Sequence, residues 1–213
     1  MTGRTNNGKV GLYFGSFNPI HLGHLVIANH MVSRGELDQV WIVVTPTSPF
    51  KLSDEMIPEE HRLQMVKLAI ADNPFIFSSD IEFKLERPSY TADTLQHLRD
   101  KFPEVNFSVI LGEDNYDNLH RWKNYKSIHE NHRLLVYPRR LTKMSGFLLE
   151  KTPNKDNPLR FDSTKAVIFT EAPMIAISST YIREAILEKQ DVQYLLPDTV
   201  ISYIGNNHLY EIE

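Results

Sequence analysis

Short apolar runs alternate with helical patterns along most of the chain, and this alternation limits the fold more than any other feature of the sequence. Short buried strands that are joined by helices form a parallel sheet with helices on both faces, since each crossover has to pass over the sheet. We therefore predict an α/β fold with a doubly wound parallel sheet. The predicted strands span residues 10–15, 39–45, 75–83, 107–112, 134–137 and 167–170.

Helices are predicted between these strands from apolar spacing and from the residues that start or end a helix. The first carries Leu25, Ala28 and Val32 on one face and ends near Gly35. The others are predicted to begin at Pro58, at Thr91 as a cap, at Ser178 or Ser179 (running to Glu188) and after Pro197.

The chain length suits one domain, which we predict over residues 9–213 after a disordered tail at 1–8. Its C-terminal part, from about 178 to 213, is predicted to be a small helical portion. Residues 46–58 form a polar loop with several prolines that is long enough to be functional. Residues 139–165 are polar and irregular, and they are predicted to be the most mobile segment.

The composition excludes several classes of protein. The 213 residues include no cysteine, which removes disulfides, thiolate metal sites and cysteine nucleophiles and agrees with a cytoplasmic location. No apolar run approaches the roughly 18–20 residues that span a membrane, and the polar start lacks the apolar stretch of a signal peptide. The formal net charge of −4 argues against a general nucleic-acid binder. We expect neither a membrane nor a nucleic acid as partner.

Residues 12–24, LYFGSFNPIHLGH, place two histidines where a strand, a glycine–proline loop and a helix meet. His21 and His24 are three residues apart, so they share one face of the first helical turn. A helix N-terminus offers unpaired N–H groups and partial positive charge, and imidazoles can donate hydrogen bonds to phosphate. We interpret the segment as a phosphate site in which Gly23 lets a ligand approach the backbone. Capping or surface histidines, and zinc ligands that lack further partners, are the alternatives.

Residues 177–183, ISSTYIR, form a second unit of this kind. Ser178, Ser179 and Thr180 bring hydroxyls and free N–H groups to a helix start, and Arg183 follows one turn later as a bidentate donor. Simple capping is the alternative. Two such helix starts from opposite halves of the chain could hold a triphosphate between them. The glycine-rich dinucleotide fingerprint and the P-loop are both absent, so the phosphate site is of another type.

These units resemble the signatures of a known family. Residues 15–24, GSFNPIHLGH, are similar to the G-x-F-[DN]-P-x-H-x-G-H signature of the HxGH nucleotidylyltransferase superfamily, and ISSTYIR is similar to its second signature. Further segments resemble those of bacterial nicotinate-nucleotide adenylyltransferases, and the resemblance covers residues 9 to about 210. These segments are PFK at 49–51, EHRL at 60–63, SYTADTL at 89–95, LGED at 111–114 with Trp122, and YLLP at 194–197.

The resemblance implies a Rossmann-like fold and transfer of an adenylyl group from ATP to nicotinate mononucleotide in NAD biosynthesis. It implies Mg²⁺ that is held mainly by the ATP phosphates, with no metal ligand from the protein. The implied catalytic residues are His21, His24, Lys51 and Arg183. The implied ATP-binding residues are Gly15, Ser16, Phe17, His21, His24, Gly112, Asp114, Ser178, Ser179, Thr180 and Arg183. The implied pyridine-nucleotide-binding residues are Ser16, Phe17, Lys51, Tyr90, Thr91 and Trp122.

Three departures from the family pattern and several alternatives stay open. Asn18 replaces the commoner Asp, Phe50 replaces a His beside the loop lysine, and residues 137–140 differ from the usual R-P-G-[YF]. Trp122 is expected to stack on the pyridine ring, with core packing as the alternative. The alternative functions are an adenylyltransferase for nicotinamide mononucleotide or for phosphopantetheine, and a non-catalytic nucleotide sensor. The sequence leaves self-association undecided.

Overall fold

The computed structural model describes residues 8–46, 56–138, 144–145, 148–149, 166–169 and 171–211. All of the predicted tail except Gly8 lies outside these residues. So do residues 47–55, which include Lys51, and most of the segment 139–165. The single-domain assignment stays a prediction.

A six-stranded sheet forms the centre of the described structure, and each neighbouring pair of strands in it is parallel. The strand order is β3-β2-β1-β4-β5-β8. The strands are β1 (Lys9–Gly15), β2 (Gln39–Val44), β3 (Ile76–Ser79), β4 (Asn106–Gly112), β5 (Arg133–Tyr137) and β8 (Ala166–Ile168). Two short strands, β6 (Met144–Ser145) and β7 (Leu148–Leu149), form a separate antiparallel pair.

Helices cover both faces of the sheet, as predicted. They are α1 (Leu22–Arg34), α2 (Glu59–Ala69), α3 (Thr91–Lys101), α4 (Glu113–Asp117), α5 (Tyr125–Asn131), α6 (Ser179–Leu187) and α7 (Asp198–Asn206). Helices α1, α2, α6 and α7 supply apolar residues to one core cluster, whereas α3, α4 and α5 supply the other.

The central strands are buried on both sides, which explains why their sequences are apolar throughout. Leu12 of β1 pairs with Trp41 on one side and with Val109 on the other, and all three belong to the same core cluster. The adjacent Tyr13 belongs to the opposite cluster, because successive strand residues face opposite sides of the sheet. The predicted α/β class and its parallel sheet are therefore confirmed.

The strand predicted over residues 75–83 is too long. β3 ends at Ser79, and a 3₁₀ helix follows over Ile81–Lys84. Ile81 packs into the core and Glu82 is 2% exposed. The turn places Glu82 next to the hydroxyls of Ser89 and Thr94, which donate hydrogen bonds to its carboxylate.

Two features of the fold decide where a ligand can bind. The chain builds β1, β2 and β3 in one direction and then crosses back to β4 on the other side of β1. At such a reversal the two connections diverge and leave a crevice at the carboxyl ends of the strands. None of the helices in the described ranges is long and apolar enough to cross a membrane.

Candidate active site

A cleft of about 1030 Å³ opens at the carboxyl ends of β1 and β4, where the strand order reverses. Residues from the first turns of α1, α3, α4 and α6 line its sides. Lys51 lies outside the described residues. All other predicted site residues line the cleft; they are Gly15, Ser16, Phe17, His21, His24, Tyr90, Thr91, Gly112, Asp114, Trp122, Ser178, Ser179, Thr180 and Arg183.

His21 and His24 build the first turn of α1 together. The Nδ1 atom of His21 accepts a hydrogen bond from the backbone N–H of His24, and the Nδ1 atom of His24 accepts one from the N–H of His21, each at 3.3 Å. Their rings stack with centroids 3.7 Å apart. Because both Nδ1 atoms accept, the proton of each neutral ring is on Nε2, which makes Nε2–H the donor. The histidines are therefore helix caps that hold two oriented N–H donors beside the cleft.

Glycines make room for rings in the loop between β1 and α1. A Cβ atom at Gly15 would lie 2.9 Å from Cζ of Phe17, whose own φ of 46° belongs to the left-handed region. A Cβ atom at Gly23 would lie 3.0 Å from the His21 ring. Gly23 thus allows the histidine ring to pack against the helix start, and the closer approach of a ligand at this position stays a prediction.

The start of α6 lies against the same loop. Ser178 caps α6 by accepting a hydrogen bond from the N–H of Tyr181 at 3.1 Å. The Ser179 hydroxyl donates to the backbone oxygen of Pro19 at 2.9 Å, and Nη1 of Arg183 donates to that of Asn18 at 3.0 Å. Two helix N-termini, two imidazoles and a guanidinium therefore border one cleft, an arrangement suited to an anion with several charges.

Asn18, which replaces the commoner Asp, is fixed by its side chain as well as by its backbone. It is 3% exposed, and its Oδ1 accepts a hydrogen bond from the Tyr210 hydroxyl at 2.9 Å. Burial raises the pKa of Tyr210, so this hydroxyl stays protonated and remains a donor at neutral pH. A residue near the C-terminus thereby supports the loop that follows the first strand.

The other end of the cleft lies between α3 and the segment that follows α4. The prediction that Thr91 caps α3 is wrong, because Tyr90 is the residue before the helix and Thr91 begins it. Tyr90 gives the helix no side-chain cap. Trp122 lines the cleft and also packs against the core, so both of its predicted roles remain open. The Nζ atom of Lys123 lies 4.5 Å from the Tyr90 ring centroid and 2.8 Å from Oδ2 of Asp93.

Gly112 and Asp114 lie where β4 ends. Gly112 is both the last residue of β4 and the residue before α4, and Asp114 belongs to the first turn of α4. A carboxylate in a first helical turn is favoured by the helix dipole. Among the described residues no side chain caps α4, and the contact of Asp114 with ATP stays a prediction.

Arg62 holds the backbone behind the cleft. Its side chain is 1% exposed, and its guanidinium donates hydrogen bonds to the carbonyl oxygens of Ser16, Thr45, Pro46 and Ile57 at 2.7–3.1 Å. Burial lowers the pKa of Arg62, although nearby acidic groups oppose the shift. One side chain thus fixes the loop after β1, the end of β2 and the approach to α2.

Sequence reasoning missed three charged residues that line the cleft. Arg121 and Lys123 flank Trp122, and this basic–aromatic–basic triplet was a usable signal for a site that binds a phosphorylated ring. Glu82 gave no such signal, because its burial beneath the cleft arises only from the tertiary fold.

The donors in the cleft decide how a metal ion could be held. Within the described ranges, no three His, Asp or Glu side chains cluster as a metal ion would require. The hydroxyls, imidazoles and guanidinium that line the cleft suit anions, and the two carboxylates among its described lining residues, Glu82 and Asp114, are too few to hold Mg²⁺ without phosphate and water oxygens. These residues therefore fit a magnesium ion that arrives with phosphate groups.

Comparison with known proteins gives consistent matches. A family model described as cytidylyltransferase-like matches residues 12–185. A Flavobacterium psychrophilum protein named "Probable nicotinate-nucleotide adenylyltransferase" is 49% identical over 203 residues, which covers 95% of this chain and 99% of that one. A Bacillus licheniformis protein of the same name is 32% identical, with 95% and 98% of the two chains covered.

Solved structures agree with the fold. The Plasmodium falciparum nicotinic acid mononucleotide adenylyltransferase complexed with NaAD has a TM-score of 0.74 to this structure at 18% identity. The match covers 95% of this chain and 97% of that chain. A structure of the same protein complexed with APC has a TM-score of 0.72. At this identity the likeness concerns the fold alone.

Proposed function

The chain belongs to the cytidylyltransferase-like family and, within it, to the nicotinate-nucleotide adenylyltransferases, and we therefore propose that it transfers the adenylyl group of ATP to nicotinate mononucleotide. The products are nicotinate adenine dinucleotide and pyrophosphate. The observation that carries the proposal is the meeting of the α1 and α6 N-termini on one cleft, joined by the hydrogen bond from Ser179 to Pro19.

The chemistry needs little covalent participation by the protein. A phosphate oxygen of the mononucleotide attacks the α-phosphorus of ATP in line, and the bond to the bridging oxygen of the β-phosphate breaks as pyrophosphate leaves with the electron pair. The attacking phosphate is already largely ionised near neutral pH, so no side chain has to remove a proton. Catalysis then rests on positioning and on stabilising the charge of the phosphates.

The triphosphate is assigned to the two helix starts. The Nε2–H donors of His21 and His24 would contact it, with His24 nearest the α-phosphate in the transition state. The hydroxyl of Ser179 and Nη1 of Arg183 donate to the loop and so hold α6 at the cleft. Ser179 would therefore bind the β- and γ-phosphates through its backbone N–H at the helix start, and Arg183 through its remaining guanidinium N–H groups. Lys51 is proposed to reach the phosphates from its loop.

The two ring systems are assigned to the remaining ends of the cleft. Gly112 and Asp114 would contact the adenosine ribose, where a carboxylate can accept hydrogen bonds from hydroxyls. Trp122 would stack on the pyridine ring. The N–H groups at Tyr90 and Thr91 would receive the nicotinate carboxylate, which suits a helix start that has no side-chain cap.

Two further assignments complete the proposal. Mg²⁺, which would neutralise phosphate charge during transfer, is assigned to the substrate phosphates and water. The cytoplasmic location predicted from the absence of cysteine stays a prediction.

The decisive experiment measures pyrophosphate release from ATP and Mg²⁺ with nicotinate mononucleotide and nicotinamide mononucleotide in parallel. We expect a strong preference for the acid, because a helix N-terminus stabilises a carboxylate more than a neutral amide. Equal use of both, or preference for the amide, would keep the chemistry and reject the proposed specificity. A folded protein that binds ATP but releases pyrophosphate with neither acceptor would reject both pyridine nucleotides as substrates and point to another acceptor or to a nucleotide sensor.

A further inference from the structure

Glu82 is a buried carboxylate that the proposed chemistry does not use. It is 2% exposed, and it lines the cleft near the start of α3. Ser89 donates to its Oε2 at 3.0 Å, Thr94 donates to its Oε1 at 2.8 Å, and the Thr45 hydroxyl forms a further hydrogen bond with it. Three hydroxyls from the end of β2, from the residue before Tyr90 and from α3 therefore converge on one side chain.

Burying this carboxylate is unfavourable on its own. Loss of hydration raises the pKa of Glu82, and the hydroxyls offset that shift only in part. An apolar side chain would fill the same position without this penalty. The carboxylate also lies near the helix start that is proposed to receive another carboxylate. A carboxylate at this buried position is explained if its hydrogen bonds hold a part of the backbone in the geometry that the site requires.

The segment held by these hydrogen bonds is the N-terminus of α3. Ser89 comes directly before Tyr90, the residue that precedes the helix, and Thr94 lies in its first turn. The Thr94 oxygen also lies 3.3 Å from the carbonyl oxygen of Tyr90, which is an alternative acceptor for its single proton, but the contact with Glu82 at 2.8 Å is the shorter one. Because Tyr90 provides no side-chain cap, the position of this helix start depends on the contacts around it.

We propose that Glu82 is the positioning residue of the pyridine-nucleotide end of the cleft. By accepting hydrogen bonds from Thr45, Ser89 and Thr94, it fixes the start of α3 against the end of β2, so that the N–H groups there meet the acidic substrate in a fixed geometry. This inference rests on the proposed function and deepens it. It assigns no chemical step to Glu82, which acts through α3. It also explains the serine and the second threonine of the SYTADTL segment, whose hydroxyls are the donors.

The test compares three variants by steady-state kinetics and by calorimetric binding of nicotinate mononucleotide and of a non-hydrolysable ATP analogue. Glu82→Ala removes every acceptor, and we expect KM and Kd for the pyridine nucleotide to rise about tenfold. The corresponding values for the adenine nucleotide should stay within about twofold. Glu86→Ala, which removes an exposed glutamate four residues away, is the matched control and should behave like the wild type.

Glu82→Gln separates hydrogen bonding from charge. Its amide oxygen can accept from Thr94, and its amide nitrogen can donate to the Ser89 oxygen, so the geometry is kept while the charge is lost. We expect it to restore nearly normal binding. If Glu82→Gln binds the pyridine nucleotide as weakly as Glu82→Ala does, and its circular dichroism spectrum is unchanged, the positioning role is overturned.

A background that lacks the two hydroxyls beside the start of α3 gives a second, independent readout. In Ser89→Ala/Thr94→Val, the added change Glu82→Ala should have little further effect on pyridine-nucleotide binding, because coupled residues are non-additive. Full additivity would overturn the inference. So would an equal loss of adenine-nucleotide binding, which indicates general loosening. If Glu82→Ala is poorly folded, the comparison of Glu82→Gln with the wild type carries the test.

Failure of the proposed function looks different from failure of this inference. Wild-type protein that binds nicotinate mononucleotide without turnover would reject the transfer reaction, and the ratio of Kd values would still test Glu82. Wild-type turnover with unchanged pyridine-nucleotide binding in Glu82→Ala would reject the inference alone. Absence of any binding of the mononucleotide to the wild type would overturn both.

Discussion

His24 combines two tasks on two atoms of one ring. Its Nδ1 accepts from the His21 N–H and so completes the cap of α1, whereas its Nε2 is the donor assigned to the α-phosphate. A substitution that keeps the first atom and removes the second separates the tasks. Asparagine does this, because its Oδ1 can accept the same hydrogen bond as Nδ1, whereas its shorter side chain has no atom at the position of Nε2.

We expect His24→Asn to lower kcat by about 100-fold or more, the usual effect of losing a donor to the transition state. Urea denaturation should show a loss of stability below about 1 kcal/mol, because the cap is retained. Pyrophosphate release gives kcat for this variant and for His97→Asn, an exposed histidine that serves as control. A normal kcat in a folded His24→Asn would remove His24 from the catalytic set.

The buried carboxyl of Glu82 should make stability depend on pH. Its pKa is raised in the folded protein above the ordinary value of 4.5, so the folded state binds the proton more tightly than the unfolded chain does. The free energy of unfolding therefore falls as the pH rises from that ordinary value through the raised folded value. Glu82→Gln lacks this titration, so its stability should gain on that of the wild type as the pH rises.

Urea denaturation at several values between about pH 4 and pH 8 tests this expectation. Glu86→Gln, at an exposed position, should follow the wild type at every pH. Parallel curves for Glu82→Gln and the wild type would show that burial of Glu82 does not set its proton affinity.

The residue scale also shows what the sequence could reveal. His21 and His24 are neighbours within one helical turn, so their spacing alone predicted that they act together. Glu82 lies 7 and 12 residues from Ser89 and Thr94, two of its hydroxyl partners, and meets them only through a turn. No local pattern marks such a group, and its role could be found only in three dimensions.

Arg62 connects elements that are separate in sequence. Its hydrogen bonds join the loop after β1, the end of β2 and the residue before Pro58 at the start of α2. The planar guanidinium is suited to this task, because it presents five donors in a fixed fork, whereas an ammonium has three donors at one point. The conservative substitution by lysine should therefore fail here.

We expect Arg62→Lys to lose about 2–3 kcal/mol of unfolding free energy, since at least one buried carbonyl loses its partner. Arg99 donates to Gln96 within a single exposed helix face, and Arg99→Lys should change stability by less than about 0.5 kcal/mol. Urea denaturation measures both changes. A fully stable Arg62→Lys would mean that the carbonyls find other partners and that the guanidinium fork is dispensable.

At the scale of elements, apolar strands and long helices are predictable from the sequence, and short helices are not. Helix α1 and strand β2 follow the predicted ranges closely. Helices α4 and α5 were not predicted, because their 5 and 7 residues are too few to show a helical period. The 3₁₀ helix after β3 is too short to show a helical period as well, and its alternating apolar residues match the period of two that predicts a strand.

At the scale of the molecule, the strand order explains why the site lies where it does. The crevice between β1 and β4 brings the start of α1 to the same cleft as the start of α3, although these helices lie on opposite faces of the sheet. The alternation of strands and helices predicted this edge of the sheet. It could not predict the contacts of the C-terminal part, which depend on how α6 and α7 pack.

One of these contacts joins the loop between β1 and α1 to the segment that follows α7. The Tyr210 hydroxyl donates to Oδ1 of Asn18 across 192 positions of sequence, and Asn18 also accepts from Arg183 through its backbone. Tyr210→Phe removes the hydroxyl and keeps the ring. We expect it to reduce the free energy of unfolding by about 1 kcal/mol and to raise KM for ATP about threefold through the loosened loop.

Tyr203→Phe is the matched control for this prediction, because its hydroxyl forms a hydrogen bond of 2.9 Å with Nδ1 of His61 away from the cleft. Urea denaturation should show a similar loss for both variants, whereas steady-state kinetics should show a raised KM for ATP in Tyr210→Phe alone. A KM that rises equally in both would attribute the effect to lower stability. A KM that rises in neither would show that the loop keeps its geometry without the C-terminal tyrosine. A rise confined to Tyr210→Phe would make the end of the chain part of the nucleotide site.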